Sequence, residues 1–101
     1  MDFEKKIDKH RKEIDSIDRK LVELFNKRAE HAIAIGRMKK EKGIPVYDPE
    51  RENEIFRNLK EANNGPLTPD AVQRLFERII DESRRIERGS TETPDEQSEG
   101  T

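Results

Sequence analysis

The sequence predicts an all-α protein whose protomer has three helices, the first of them far longer than an ordinary globular helix. One observation is the stretch from Glu4 to Lys42, which holds no proline, only one glycine and many helix-forming residues. A second is an apolar seven-residue repeat along that stretch. A third is a pair of helix-start signals, Asp48-Pro49 and Thr68-Pro69, in which a capping residue precedes a proline.

The apolar repeat makes the first helix a candidate for pairing with another helix. Its a positions are Ile7, Ile14, Leu21 and Ile35, and its d positions include Ile17, Leu24 and Met38. A helix from residue 4 to residue 42 would be roughly 58 Å long. A chain of 101 residues that is 30% hydrophobic cannot cover such a helix with its own mass, so we expect a partner.

Cations interrupt and flank this repeat. Arg28 takes an a position, His31 takes a d position, and Arg11 and Lys39 lie at equivalent flanking places. Arg28 and Lys39 would point within about 20° of each other, roughly 16 Å apart along the axis, and could converge on one small anion. Arg11 would lie roughly 25 Å from Arg28, so it could serve the same site only from an antiparallel second copy. Alternatively, Arg28 could form an interhelical salt bridge.

The remaining elements follow from local signals. The first helix should end near Gly43, which suits the left-handed stop position. A second helix is expected over 49–62 and a third over 68–88, with two polar residues, Ser83 and Glu87, on or beside its apolar stripe. That stripe contains Val72, Leu75, Phe76, Ile79, Ile80 and Ile86. From Gly89 the chain has no apolar residue and several acids, which predicts a disordered acidic tail or linker over 89–101.

Composition excludes several function classes. The chain is 44% charged with a net charge of −2, which favours neither nucleic acid nor an anionic membrane as a partner. It has no cysteine, and its two histidines, His10 and His31, lack the spacing of metal ligands, so we expect neither thiol chemistry nor a metal. The N-terminal residues contain no apolar signal region, and we expect a cytoplasmic protein.

Taken singly, the polar candidates have ordinary explanations. Asp48 is explained as a helix cap, Glu52 could pair with a neighbouring arginine, and Ser83 could bond to the carbonyl one turn earlier. Taken together, the inward cations of the first helix, the Asp-Pro-Glu-Arg-Glu turn and the polar pair of the third helix indicate a polar pocket in a helical bundle. Such a pocket suits a small polyanion.

Three segments resemble the all-α class of chorismate mutases. They are HRKEIDSIDRKLVELFNKRAEHAIAIGRMK, GIPVYDPERE and LFERIIDESRRIE. The resemblance implies one helical domain over residues 1–88 and an intertwined homodimer with two equivalent sites, each completed by an arginine of the partner. It also leaves open a role as the mutase domain of a bifunctional aromatic-pathway enzyme.

The resemblance implies a role for each site residue. Arg11, supplied in trans, and Arg28 would each bind a carboxylate of the substrate, and Lys39 would bind near the second carboxylate and at the ether oxygen. Asp48, through its backbone, and Glu52, through its side chain, would hold the ring hydroxyl of the substrate. Arg51 would orient this substrate-binding cluster, and Ser83 would contact the ring carboxylate. The family's usual Gln facing the ether oxygen is Glu87 here, and a carboxyl group can donate a hydrogen bond there only when it is protonated.

The implied reaction is the rearrangement of chorismate to prephenate, in phenylalanine and tyrosine biosynthesis. It is unimolecular and needs no cofactor, metal, nucleophile or general base. Catalysis would come from holding the flexible dianion in its reactive form and from donors at the ether oxygen. Two alternatives remain open: an isochorismate-pyruvate lyase, which shares the fold and the arginine-rich pocket, and a non-catalytic helical module for dimerisation or regulation.

Overall fold

A computed structural model describes residues 2–89, and all three expected helices are present. They are α1 (Asp2–Lys42), α2 (Pro49–Ala62) and α3 (Pro69–Gly89), which confirms the all-α prediction. The predicted bounds are correct for α2 and for the end of α1, and they differ by two residues at the start of α1 and by one residue at each end of α3. Gly89 closes α3, and the rest of the predicted tail, residues 90–101, lies outside the described residues.

The ends of α1 carry charges that suit the helix dipole. Asp2 and Glu4 lie in its first turn, and three lysines, Lys39, Lys40 and Lys42, lie in its last. Gly43 then takes a φ of 67°, a conformation that favours glycine. Its N–H donates to the carbonyl of Lys40 at 3.2 Å, and the N–H of Ile44 donates to that of Lys39 at 2.8 Å. These bonds satisfy two of the last carbonyls of the helix.

The two shorter helices begin as their sequences predict. The Asp48 carboxylate accepts from the N–H of Arg51 at 3.1 Å, and Pro49 occupies the first turn of α2. The Thr68 hydroxyl accepts from the N–H of Ala71 at 3.1 Å at the start of α3. In both helices a side-chain oxygen satisfies an N–H group that has no partner within the helix.

The chain divides into two units, one up to His31 and one from Ala32 onward. The first unit is a continuous piece of α1, and its apolar repeat lies largely open in the single chain. The exposed members, with their exposed fractions, are Ile14 (54%), Ile17 (53%), Leu21 (41%) and Leu24 (57%).

The second unit builds its own interior. Its most buried apolar residues are Ala32, Val72 and Ile80, and α2 packs against α3. The apolar face of α2 is half-buried, whereas Leu75 of the predicted α3 stripe is 55% exposed. Periodicity placed Leu75 on the apolar stripe, but the core of this unit does not extend to it. Within residues 2–89, no helix is long and apolar enough to cross a membrane.

Candidate active site

Lys39 lies in the last turn of α1 and is held by the loop that follows. Its side chain is half-buried, and its Nζ donates to the carbonyl oxygen of Val46 at 3.1 Å. The turn at Gly43 brings the chain back so that Val46 reaches the lysine seven residues earlier. An ammonium group has three donors, so this hydrogen bond orients Lys39 and leaves donors for an anion.

Asp48 caps α2 with both its side chain and its backbone carbonyl. Its carboxylate accepts from the N–H of Arg51, and its carbonyl oxygen accepts from the N–H of Glu52 at 3.1 Å. Arg51 is directed to the exposed side of α2, where its Nη1 lies 2.7 Å from Oε1 of Glu54. The guanidinium of Arg51 therefore contacts Glu54 rather than the carboxylate of Glu52.

Glu52 instead meets an arginine that was not among the predicted site residues. Nε of Arg84, on α3, lies 3.3 Å from Oε2 of Glu52, and the two side chains are only 29% and 20% exposed. Nη2 of Arg84 lies 2.7 Å from Asp81, and the guanidinium carbon lies 5.4 Å from the centre of the Tyr47 ring. A sequence signal did exist, since Arg84 follows the buried Ile80 by one helical turn.

Ser83 and Glu87 lie one turn apart on α3, so they share a face of that helix. Both are half-buried, and Oε1 of Glu87 is shielded from solvent. Arg84 comes directly after Ser83. The polar residues of α3 thus adjoin the arginine that reaches Glu52 on α2.

The two remaining predicted site residues belong to the first unit. Arg11 is exposed, and its Nη1 lies 4.0 Å from Oδ1 of Asp8, a weak surface ion pair one turn away. Arg28 is half-buried. Within residues 2–89, no cluster of three or more His, Cys, Asp or Glu side chains is arranged to hold a metal ion.

The second unit brings part of the predicted set together. Contacts connect Lys39 to the loop at Val46, Tyr47 to Arg84, and Arg84 to Glu52. A lysine, a carboxylate and a half-buried arginine from three consecutive helices are thereby held within one unit. This combination of charges on a small helical scaffold is suited to binding a polar anion.

Curated relatives share most of this chain. A bifunctional chorismate mutase/prephenate dehydratase of Neisseria gonorrhoeae is 43% identical over 82 residues, which cover 81% of this chain. The same match covers 22% of that relative, so the chain spans about a fifth of the length of the first curated relatives it matches.

Solved structures show the same architecture over nearly their whole length. A chorismate mutase of Thermus thermophilus (form II) is 35% identical with a TM-score of 0.81, and the match covers 82% of this chain and 94% of that one. A chorismate mutase of Helicobacter pylori, solved in complex with prephenate, is 29% identical with a TM-score of 0.78. This match covers 84% of this chain and 92% of the Helicobacter pylori chain.

The family model described as chorismate mutase type II matches residues 10–88. That span begins one residue before Arg11 and ends one residue after Glu87, so it includes every predicted site residue. On this match, and on the fold and sequence likeness to solved members, the chain belongs to the chorismate mutase type II family.

Proposed function

We propose that this chain catalyses the rearrangement of chorismate to prephenate. The observation that carries the proposal is the family match over residues 10–88, which contains all eight proposed site positions. The likeness to a chorismate mutase that was solved with prephenate supports it further. The half-buried Lys39 and the charged cluster on α2 and α3 supply the polar surroundings that a small dianion needs.

Positive charge is the main requirement of this reaction. Arg28 is proposed to bind one substrate carboxylate, since a guanidinium can pair with both oxygens of a carboxylate. Lys39 is proposed to bind near the same carboxylate and at the ether oxygen, where negative charge grows as the bond breaks. The hydrogen bond from Lys39 to Val46 supports this role because it restricts the ammonium group before substrate arrives.

The second set of contacts orients the ring of the substrate. Glu52 is proposed to accept a hydrogen bond from the ring hydroxyl, and Ser83 to contact the ring carboxylate. Asp48 is proposed to contribute through its backbone, and its role as the cap of α2 supports this because the cap fixes the position of that backbone. Arg51 stays in the proposed set, but its pairing with Glu54 makes it a weaker candidate than the others.

The active form is proposed to be an intertwined homodimer in which Arg11 acts on the partner's site. The open apolar repeat of the first unit supports dimerisation, because exposed Ile and Leu side chains on one stripe are stabilised when a second helix covers them. Arg11 itself is exposed, and its 4.0 Å ion pair to Asp8 is weak, so little would be lost when it turns toward another chain.

Glu87 is proposed to donate a hydrogen bond to the ether oxygen from a protonated carboxyl group. In the ionised form it could only accept, and it would repel the charge that develops there. Its half-buried position on the face that also carries Ser83 supports a place in the site. No cofactor or metal is part of the proposal, and a cytoplasmic location remains a prediction.

The test is to follow the loss of chorismate and the formation of prephenate with the purified chain. A parallel assay offers isochorismate and measures release of pyruvate. We expect the chain to turn over chorismate. Arg28→Ala should abolish this turnover, whereas Arg78→Met, a change at an exposed arginine of α3, should retain it. Pyruvate release without prephenate would replace the mutase with the lyase, and turnover of neither substrate would favour a non-catalytic module.

A further inference from the structure

Arg84 contacts three parts of the second unit at once. Its Nε lies 3.3 Å from Oε2 of Glu52 on α2, its Nη2 lies 2.7 Å from Oδ1 of Asp81 on α3, and its guanidinium lies 5.4 Å from the ring centre of Tyr47 in the preceding loop. An arginine with a carboxylate on two sides and an aromatic ring within cation–π range has a well-defined guanidinium plane.

The Arg84–Glu52 pair differs from the Arg51–Glu54 pair in its burial. Its side chains are 29% and 20% exposed, against 58% and 50% for Arg51–Glu54. Charges that are partly removed from water interact more strongly than exposed ones, which contribute little. The geometry is a charge contact rather than an aligned hydrogen bond, because Nε of Arg84 has no aligned acceptor within residues 2–89. The charge contact therefore keeps the Glu52 carboxylate beside Arg84, and its oxygens can still accept hydrogen bonds from other donors.

Glu52 presents a physical problem for a site that binds a dianion. An uncompensated carboxylate beside two substrate carboxylates would repel them, and a mobile one would lose entropy on binding. Arg84 addresses both difficulties, since it supplies a compensating positive charge and holds one oxygen, Oε2. The other oxygen, Oε1, can then accept from a hydroxyl group.

We propose that Arg84 is a positioning residue that holds the Glu52 carboxylate for the ring hydroxyl of the substrate. Arg84 acts through Glu52 and does not itself contact the substrate. This inference rests on the proposed function. It also moves the orienting role from Arg51, whose guanidinium pairs with Glu54, to an arginine on α3.

The contact with Tyr47 ties the same arginine to the loop after α1. Val46, the neighbour of Tyr47, accepts the hydrogen bond of Lys39. The ring thus helps to orient the guanidinium of Arg84, and the loop that carries it is held at its other side by Lys39. Replacing Tyr47 by Leu removes the ring contact but leaves the ion pair, so its effect should be smaller than that of replacing Arg84.

The decisive experiment is a double-mutant cycle of Arg84→Met and Glu52→Gln, read as kcat and KM for chorismate. Arg84→Met should raise KM about tenfold and change kcat less, because the hydroxyl contact is made in both the bound and the transition state. In the Glu52→Gln background the same change should alter kcat/KM by no more than about twofold. Arg78→Met, an equal change at an exposed arginine of α3, is the matched control and should leave both constants unchanged.

Equal losses from Arg84→Met in both backgrounds would overturn the proposal, because Arg84 would then act independently of Glu52. The absence of any loss would overturn it as well. If Arg84→Met fails to fold by circular dichroism, Arg84→Lys takes its place in the cycle. It keeps the charge but not the guanidinium geometry, and its smaller loss should likewise disappear in Glu52→Gln.

Failure of the proposed function would be visible separately, in a wild-type chain that does not turn over chorismate. The same cycle would then be measured as calorimetric affinity for prephenate. Coupling between Arg84 and Glu52 in that affinity would support the positioning role without catalysis. Additive effects, or no binding at all, would reject it.

Discussion

The two units of this chain differ in how far their apolar residues are buried. Up to His31, one helix carries its Ile and Leu stripe exposed, with Ile14, Ile17 and Leu24 each more than half exposed. From Ala32 onward, the chain buries Val72 and Ile80 and brings charged groups of α2 and α3 into contact. The first unit exposes the apolar stripe that the proposed dimer would cover, while the charge contacts of the second unit are made within one chain.

The proposed site residues of the two units differ in how they are held. Lys39 and Glu52 are held by contacts within their own unit. Arg11 is exposed, and its 4.0 Å ion pair with Asp8 holds it weakly, so its proposed role depends on contacts from a second chain. Substitutions in the first unit should therefore impair the protein in a different way from substitutions in the second.

The largest effect is expected from the arginines of the first unit. Arg28→Ala and Arg11→Ala should each lower kcat/KM by about a thousandfold, because each removes a charge that is proposed to bind the dianion. When the two variants are unfolded together and refolded, half of the dimers are mixed, and each mixed dimer has one site with both arginines. The mixture should recover about a quarter of wild-type activity.

This recovery tests whether Arg11 acts in trans. If both arginines served a site within one chain, every site in the mixed dimer would lack one of them, and activity would stay at the level of the single variants. Mixing Arg28→Ala with unmodified chain provides the reference for dimer exchange.

A somewhat smaller effect is expected at Glu87 in the second unit. If Glu87 donates a hydrogen bond to the ether oxygen as proposed, turnover should fall as pH rises, because an ionised carboxylate can only accept. Glu87→Gln keeps a donor at every pH, so its profile of kcat/KM against pH should be flatter. Glu87→Ala removes the donor and should cost about a hundredfold throughout.

The control for Glu87 is Glu82→Gln, which changes an exposed glutamate of the same helix and should keep the wild-type profile. Parallel profiles for wild type and Glu87→Gln would show that Glu87 does not face the ether oxygen. The role proposed for this end of α3 would then be wrong.

A moderate effect should distinguish the apolar surfaces of the two units. Leu21→Ala, on the open stripe, should weaken dimerisation by about tenfold in sedimentation at several concentrations. Ile80→Ala, in the buried core, should instead lower the free energy of unfolding by roughly 2–4 kcal/mol and leave the association constant nearly unchanged. Arg19→Ala, on the opposite side of α1, is the control. A stable monomer of the wild-type chain at micromolar concentration would contradict the dimer.

The smallest effect is expected from removing residues 90–101. They contain no apolar side chain, so they have little to bury against either unit. Activity and melting temperature should stay within experimental error of the full chain. A clear loss of either would show that this segment contacts the helices.

Much of the secondary structure was determined by the sequence alone. The caps at Asp48 and Thr68, the prolines after them and the left-handed Gly43 set helix ends through interactions within a few residues. Such signals are local, and they act whatever the rest of the chain does. The three quoted segments were likewise enough to recognise the family, because residue identity and spacing carry that information.

Tertiary structure decided which charged side chains meet. Both Arg51 and Arg84 were available to Glu52, and helical spacing gives no preference between an arginine on the same helix and one on another. The packing of α3 against α2 brings Arg84 to Glu52, while Arg51 finds Glu54 one turn away. The same packing leaves Leu75 exposed, although helical periodicity places it on the apolar stripe of α3. Periodicity specifies the face of a helix, but the partner of each side chain depends on how closely another element approaches that face.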